Sequence, residues 1–461
     1  MRQPFFLYLA IYAKIIVNRI VTQVIPNMQK TIRYARKTAL IFLALVIYIA
    51  NCQAIEQILL NPDGPDADKL GQAKGYTSCN NPQKFAECRI GAWSGQFDTP
   101  NIAVVKAASQ PSALPYMSEP PAIHYRWGLF NKSVDDYLED TKATSLIILK
   151  NGQVVLERYQ YDRKPEMRFR SFSMSKTIIS ILIGIANKKG HILSLDDPVS
   201  KYWPEISRSA YGQTSIRNML RMSSGINFNE LYTFAPGDDN WEWGKILYDR
   251  DNAARPDKIV QYLNSKTERT YEEGTKFSYA SIITEVLGRV LIRATGQSIA
   301  MLTQEWLWQP MGAQSDALWF LSTTDSVEGA GGSFNATLRD YARLGNLLAN
   351  DGMRDGVEII PTQYLLEATD VALQPLAFKP KVATPYFGYG YQIWLFPMKK
   401  RTFALQGIFG QQIYVQPESK IVMVQTSAFD KPSGRFDPYP YKKLTALWLG
   451  ILDSLGGDSS Q

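Results

Sequence analysis

Arg170-Ser-Phe-Ser-Met-Ser-Lys-Thr-Ile-Ile179 is the stretch that decides the fold, because it places Ser173-x-x-Lys176 at the start of an apolar helix. Residues three apart share a helix face, so the Lys176 amine can reach the Ser173 hydroxyl. Serine is a weak nucleophile that needs a neighbouring base, and a desolvated lysine with a lowered pKa can be that base. The pair predicts Ser173 as nucleophile and Lys176 as its base. Ser175 is an alternative serine without the three-residue spacing.

The elements around this helix indicate the fold class. One side of the predicted helix carries Ile178, Ile181, Leu182 and Ile185, and Gly190 ends it. Upstream, β-rich runs at 145–150 and 153–159 flank Asn151-Gly152, a strong hairpin signal. A second predicted hairpin joins 412–416 to 420–426, and a closing amphipathic helix spans 441–455. Residues 195–350 are predicted to be mostly helix and loop. Strands at both ends with helices between them predict an α+β fold with one antiparallel sheet and a helical insertion.

Two further motifs carry polar groups that suit the same chemistry. Tyr279 stands before the apolar run 282–292 and two residues before Ser281, so its hydroxyl can point into a cleft. Near the end, Leu405-Gln-Gly-Ile-Phe-Gly-Gln411 enters the second hairpin. Gly407 allows a strand edge to approach a ligand, and the Ile408 N–H can donate to a developing oxyanion.

In this order the three motifs resemble the β-lactamase-like serine hydrolases. That group includes penicillin-binding proteins, class C β-lactamases, family VIII esterases and 6-aminohexanoate-dimer hydrolases, and the form of the third motif is most similar to the last. The resemblance spans about residues 140–455. It extends to four subsidiary stretches, at 195–199, 216–225, 331–343 and 388–394.

The resemblance implies a role for each matched residue. Ser173 would be acylated, Lys176 would be its base, and Tyr279 would return a proton to the leaving group. The backbone N–H groups of Ser173 and Ile408 would form the oxyanion hole. Ser281, in the place of the usual Asn, and Gly407 would contact substrate.

Two departures weaken an assignment as a β-lactamase. Leu405 stands where many relatives carry Lys or His, and no glutamate loop of the class A type is present.

The charge distribution predicts export rather than nucleic-acid binding. Seven cations precede Glu56, the first acidic residue, so the formal net charge of +7 lies in the leader and the rest is near neutral. Cations at 30–37, an apolar run at 39–50 and Asn-Cys-Gln-Ala at 51–54 are typical of a secretory signal. We therefore expect 1–54 to be a signal peptide or membrane anchor, 55–140 an irregular extension, and 141–456 the hydrolase domain. The protein would be periplasmic or anchored in the inner membrane of a bacterium, with membrane contact only through this leader. Met28 is an alternative start, and lipidation of Cys52 is an alternative to cleavage.

Cysteine and histidine usage limits the other kinds of site. An oxidising compartment favours a local disulfide between Cys79 and Cys88, with two unpaired thiols as the alternative. The chain has two histidines, His124 and His191, and neither lies in a G-x-S-x-G context, which disfavours a Ser-His-Asp triad. The sequence predicts no metal and no cofactor.

Several functions remain open from the sequence. The leading hypothesis is hydrolysis of a small amide or ester through acyl-Ser173. A D,D-peptidase acting on cell-wall peptides and a weak class C-type β-lactamase are alternatives within the same chemistry. A non-catalytic penicillin- or peptidoglycan-binding module is an alternative of another class. The oligomeric state is not predicted.

Overall fold

The structure is a computed structural model that describes residues 58–97 and 101–461. The predicted leader at 1–54 lies outside the described residues, and the described residues form one compact unit. Within the described residues, no helix is long and apolar enough to cross a membrane.

The α-helices are α1 Arg89–Trp93, α2 Val134–Asp140, α3 Ser175–Lys188, α4 Ile216–Leu220, α5 Asp239–Tyr248, α6 Asp257–Asn264, α7 Ser281–Thr295, α8 Ile299–Thr303, α9 Leu338–Ala349, α10 Thr362–Thr369 and α11 Pro438–Ser454. The strands are β1 Ile58–Leu60, β2 Ser94–Gly95, β3 Ile102–Val105, β4 His124–Trp127, β5 Phe130–Ser133, β6 Ala143–Lys150, β7 Gln153–Tyr159, β8 Arg168–Arg170, β9 Ala317–Phe320, β10 Phe334–Thr337, β11 Met353–Arg354, β12 Val357–Glu358, β13 Gly388–Tyr389, β14 Trp394–Leu395, β15 Phe403–Gly407, β16 Gln411–Gln416 and β17 Ile421–Ser427.

An eight-stranded sheet in the order β1-β7-β6-β17-β16-β15-β14-β13 forms the centre of the molecule. Both predicted hairpins are present, as β6–β7 and β16–β17. Asn151 and Gly152 take the positive φ angles, 53° and 74°, that this turn demands. Strand β17 pairs antiparallel with β6, so distant parts of the chain complete one sheet. The predicted α+β fold class is confirmed.

A second sheet, absent from the sequence prediction, has the order β2-β8-β10-β9-β3. Strands β9 and β10 lie inside 195–350, where we predicted mostly helix and loop, and they are too short to show a clear alternation. The extension at 55–140 is also more regular than predicted. Strand β1 pairs with β7, and β2 and β3 form the two edges of the second sheet. Burial against strands from later in the chain supplies the order that the local composition does not indicate.

The helix that follows the first motif lies in the main core. Helix α3 begins at Ser175 after a 3₁₀ turn at Phe172–Met174, and Gly190 with φ 79° follows its end. Twelve of its fourteen residues are buried, so the helix is packed on nearly every side. It packs against α7. These two helices carry the polar groups of the candidate site on their N-terminal ends.

Candidate active site

The three serines near the N-terminus of α3 have different surroundings. Ser171 and Ser175 are fully buried, and their hydroxyls donate to the carbonyl oxygens of Phe172 and Ala330. Ser173 is partly exposed on the 3₁₀ turn that leads into the helix. Ser173 is therefore the serine that a substrate can reach.

Lys176 contacts Ser173 directly, as the three-residue spacing predicts. Its Nζ donates to Ser173 Oγ at 2.9 Å and also to the carbonyl oxygen of Gly331. Lys176 is 1% exposed. Burial lowers its pKa to about 8, because the charged ammonium form loses hydration, while the carboxylates of Glu230 and Glu285 act in the opposite direction. A substantial fraction of the amine is therefore neutral at mildly alkaline pH.

Tyr279 stands two residues before α7 and faces the same pair. Its ring centroid lies 5.3 Å from Lys176 Nζ, and its ring stacks on Trp394 at 5.6 Å. Burial raises the pKa of Tyr279 above its ordinary value and Glu230 adds to the rise, while hydrogen bonds with Ser173 and Ser281 oppose it. The phenol therefore stays neutral across the usual assay range and can donate a proton rather than act as a phenolate base.

Glu230 belongs to this cluster although no sequence signal pointed to it. Its carboxylate accepts from the Ser281 backbone N–H at 2.7 Å and from the Ser281 hydroxyl at 2.8 Å. It therefore caps the N-terminus of α7, where a negative charge is favourable. Ser281, predicted to contact substrate, is engaged with Glu230 and Tyr279. Its substrate contact stays a prediction.

The third motif lies against the turn that carries Ser173. A Cβ on Gly407 would stand 2.3 Å from the Ser171 carbonyl oxygen and 3.2 Å from Phe172 Cβ. Only glycine therefore permits this end of β15 to approach the turn so closely. The approach brings the backbone of Ile408 and the backbone of Ser173 into one neighbourhood.

The loop between β9 and β10, which contains Gly331, contacts the Lys176 amine. The Gly331 N–H donates to Glu285 Oε1 at 2.8 Å, and the Gly331 carbonyl oxygen accepts from Lys176. Glu285 also pairs with Arg289 at 3.1 Å on the same helix. Burial raises the pKa of Glu285, and the Arg289 charge acts against that rise. Glu285 and Arg289 are the two charged residues of the mostly apolar 282–292 run, and their spacing of four residues indicates a pair on one helix face.

The structure also places the other residues that the sequence analysis singled out, which are Leu405, the two histidines and the cysteine pair. Leu405 is 1% exposed and packs in the main core, so it supplies neither a cation nor an apolar wall for substrate. His124 lies exposed at the start of β4, and the exposed His191 stacks on Trp306 at 5.6 Å. The Cys79 and Cys88 sulfurs are bonded to each other.

Comparison with known proteins shows which family the chain belongs to. The model of the Beta-lactamase family matches residues 130–446. A 6-aminohexanoate-dimer hydrolase of Paenarthrobacter ureafaciens is 25% identical over 307 residues, which cover 66% of this chain and 76% of that protein.

Solved structures show the same fold. A protein of Bacillus anthracis described as a 6-aminohexanoate-dimer hydrolase superposes with a TM-score of 0.66 at 24% identity, covering 77% of this chain and 91% of its own. A family VIII carboxylesterase superposes with a TM-score of 0.51 at 18% identity, covering 67% and 93%.

Proposed function

Because the chain belongs to the Beta-lactamase family, we propose that it is a serine hydrolase that cleaves a small amide or ester through an acyl-Ser173 intermediate. The observation that carries the proposal is the 2.9 Å contact between Lys176 Nζ and Ser173 Oγ, made by an amine whose pKa is lowered to about 8. A buried lysine with a lowered pKa is the base that a serine nucleophile needs.

In the proposed acylation the neutral Lys176 amine takes the Ser173 proton as Oγ attacks the substrate carbonyl carbon. The carbonyl π electrons move to oxygen, and the N–H groups of Ser173 and Ile408 stabilise that oxyanion. When the tetrahedral intermediate collapses, the bond to the leaving nitrogen or oxygen breaks. Tyr279 donates its proton to the leaving group and regains one from the Lys176 ammonium, which restores the neutral amine.

In the proposed deacylation a water molecule attacks the acyl carbon. The water proton passes through Tyr279 to Lys176, and the second tetrahedral intermediate collapses with release of the carboxylic acid. Ser173 Oγ then recovers a proton from Lys176. The pKa of Lys176 is lowered and the pKa of Tyr279 is raised, so only the lysine loses its proton at ordinary pH. Lys176 therefore acts as the base, and Tyr279 relays protons.

For the substrate we propose linear ω-amino amides and short-chain esters rather than β-lactams. The similarity to the Paenarthrobacter ureafaciens hydrolase supports the amide. A charge-assisted hydrogen bond to the carboxylate of a β-lactam contributes about 1.5–3 kcal/mol. The buried Leu405 side chain offers no such bond.

One set of rate measurements tests both parts of the proposal. We expect a higher kcat/KM on p-nitrophenyl butyrate and on the linear dimer of 6-aminohexanoate than on nitrocefin or a D-Ala-D-Ala peptide. A fluorophosphonate should label Ser173, and Ser173→Ala should remove both labelling and turnover. His191→Ala is the matched control, and it should keep activity within severalfold. A fully active Ser173→Ala protein would refute the acyl-enzyme. A clear preference for nitrocefin or for the D-Ala-D-Ala peptide would replace the proposed substrate.

We also propose that the enzyme acts outside the cytoplasm, in the periplasm or at the inner membrane. The cationic and apolar leader and the bond between Cys79 and Cys88 support this location. Fractionation of cells that express the full chain tests it, and recovery in the cytoplasmic fraction alone would contradict it.

A further inference from the structure

Two aromatic residues with left-handed backbone flank the proposed oxyanion donors. Phe172, with φ 45°, directly precedes Ser173, and Phe409, with φ 63°, directly follows Ile408. Residues with a Cβ rarely adopt this conformation. Such backbone persists where the surrounding structure holds it in place. The side chains that pack against each aromatic residue therefore help to fix the donor peptide beside it.

Trp93 packs against both of these aromatic residues. Its ring stacks on Phe409 at 4.4 Å with an interplanar angle of 27°, and it meets Phe172 edge-on at 5.4 Å. The two phenylalanine rings lie 5.6 Å from each other. Trp93 is 4% exposed, and its indole Nε1 has no hydrogen-bond partner among the described residues. Its contribution is therefore the packing of its ring.

Trp93 is itself fixed on the N-terminal segment at several points. It ends helix α1, which begins directly after Cys88 of the Cys79–Cys88 bond. Arg89 at the start of α1 pairs with Asp430 at 3.0 Å, just beyond β17. Strand β2, which follows Trp93, pairs with β8, the strand that leads to the Ser173 turn. The residues on either side of Trp93 are therefore attached to β8 and to the segment that follows β17.

We propose that Trp93 is a positioning residue that holds the N–H groups of Ser173 and Ile408 at the spacing an oxyanion requires. The inference rests on the proposed function, since it assumes that these two groups bind the oxyanion. Without the ring, Phe172 and Phe409 would lose the contact that they share. Hydrogen bonds such as that from the Phe409 N–H to the Pro432 carbonyl oxygen at 3.0 Å would remain, but the spacing between the two donor peptides would no longer be fixed by packing. A displacement of about 1 Å at a catalytic group can cost about 10²-fold in rate.

The test compares Trp93→Ala and Trp93→Phe with Trp448→Ala. Trp448, in α11, is also buried, and within residues 58–97 and 101–461 its Nε1 has no hydrogen-bond partner either. It packs in the separate cluster around Tyr414. For Trp93→Ala we expect kcat per folded molecule to fall about 10- to 100-fold with KM changed less than about threefold. The rate of Ser173 phosphonylation should fall in parallel, and the pH midpoint set by Lys176 should stay in place. Trp93→Phe should recover most of the loss, and Trp448→Ala should keep its kcat per folded molecule.

The possible outcomes distinguish a failure of the positioning role of Trp93 from a failure of the proposed hydrolase function. Absence of fluorophosphonate labelling in the unmodified enzyme refutes the proposed function. Labelling with an unchanged kcat in Trp93→Ala refutes the positioning role, as does an equal loss in Trp448→Ala. If Trp93→Ala does not fold, Trp93→Leu decides the question, because leucine keeps apolar volume without a flat ring to stack on Phe409. Wild-type kcat in that variant would overturn the proposal.

Discussion

The lowered pKa of Lys176 predicts the pH profile of acylation. With a pKa of about 8, about 9% of the amine is neutral at pH 7 and about 91% at pH 9, so kcat/KM should rise about tenfold and then level off. A lysine at the ordinary value of 10.5 would give a rise of about 100-fold over the same interval with no plateau. Because the pKa of Tyr279 is raised, no descending limb should appear below pH 10.

Glu230→Gln changes this profile in a defined direction. The Glu230 charge raises the pKa of Lys176, so its removal should lower that pKa and move the midpoint to lower pH. Glutamine keeps the shape and one oxygen acceptor for the cap on Ser281. Glu139→Gln, at an exposed site in α2, is the control and should leave the midpoint in place.

The assay measures kcat/KM on a p-nitrophenyl ester in steps from pH 6 to pH 10 at constant ionic strength. Parallel reads of p-nitrophenolate absorbance at each pH correct for its own ionisation. A rate that climbs through pH 10 without a plateau would refute a neutral Lys176 base with a pKa near 8. A midpoint that moves to higher pH in Glu230→Gln would refute the electrostatic account of Glu230.

Three further outcomes follow from the described contacts. Lys176→Ala and Tyr279→Phe should each lower kcat by several orders of magnitude. The double variant should lose little more activity than the worse single variant, because the two groups share one proton path. Losses that multiply in a double-mutant cycle would contradict this. Mass spectrometry of exported protein should find Cys79 bridged to Cys88, and two free thiols would contradict this. By the loss of chain entropy in the unfolded state, a bridge that closes this loop adds about 2–3 kcal/mol to the free energy of unfolding. Gly331→Ala should lower kcat/KM about tenfold, since its Cβ would stand 3.1 Å from Glu285 Oε1 and would displace the loop whose carbonyl oxygen accepts from Lys176. Unchanged kinetics would show that the loop tolerates the methyl group.

The sequence predicts those parts of the molecule that local spacing determines. Asn151-Gly152 requires a turn, and the turn aligns the strands on either side of it. Ser173 and Lys176 meet because three residues make nearly one helical turn. In both cases the interacting atoms lie within a few residues of each other, so no knowledge of distant contacts is needed.

The parts that the sequence does not predict depend on contacts between distant segments. Glu230 reaches Ser281 from 51 residues away, and nothing in its neighbours distinguishes it from a solvated acid. Trp93 lies in a stretch whose composition indicates irregular structure, yet it packs on Phe172 and Phe409. Strands β9 and β10 are four residues each and become strands by pairing. Long-range pairing and burial override weak local preference at these positions.

The charge arrangement around Lys176 explains how a buried lysine beside two carboxylates keeps a low pKa. Both hydrogen-bond acceptors of its amine, Ser173 Oγ and the Gly331 carbonyl oxygen, are neutral. Glu230 is engaged with the N-terminus of α7, and Glu285 with Arg289 and the Gly331 N–H. A direct ion pair with either acid would favour the ammonium form and raise the pKa. Because each carboxylate already has its own donors, burial remains the largest effect on the amine, and the lysine stays available as a base for Ser173.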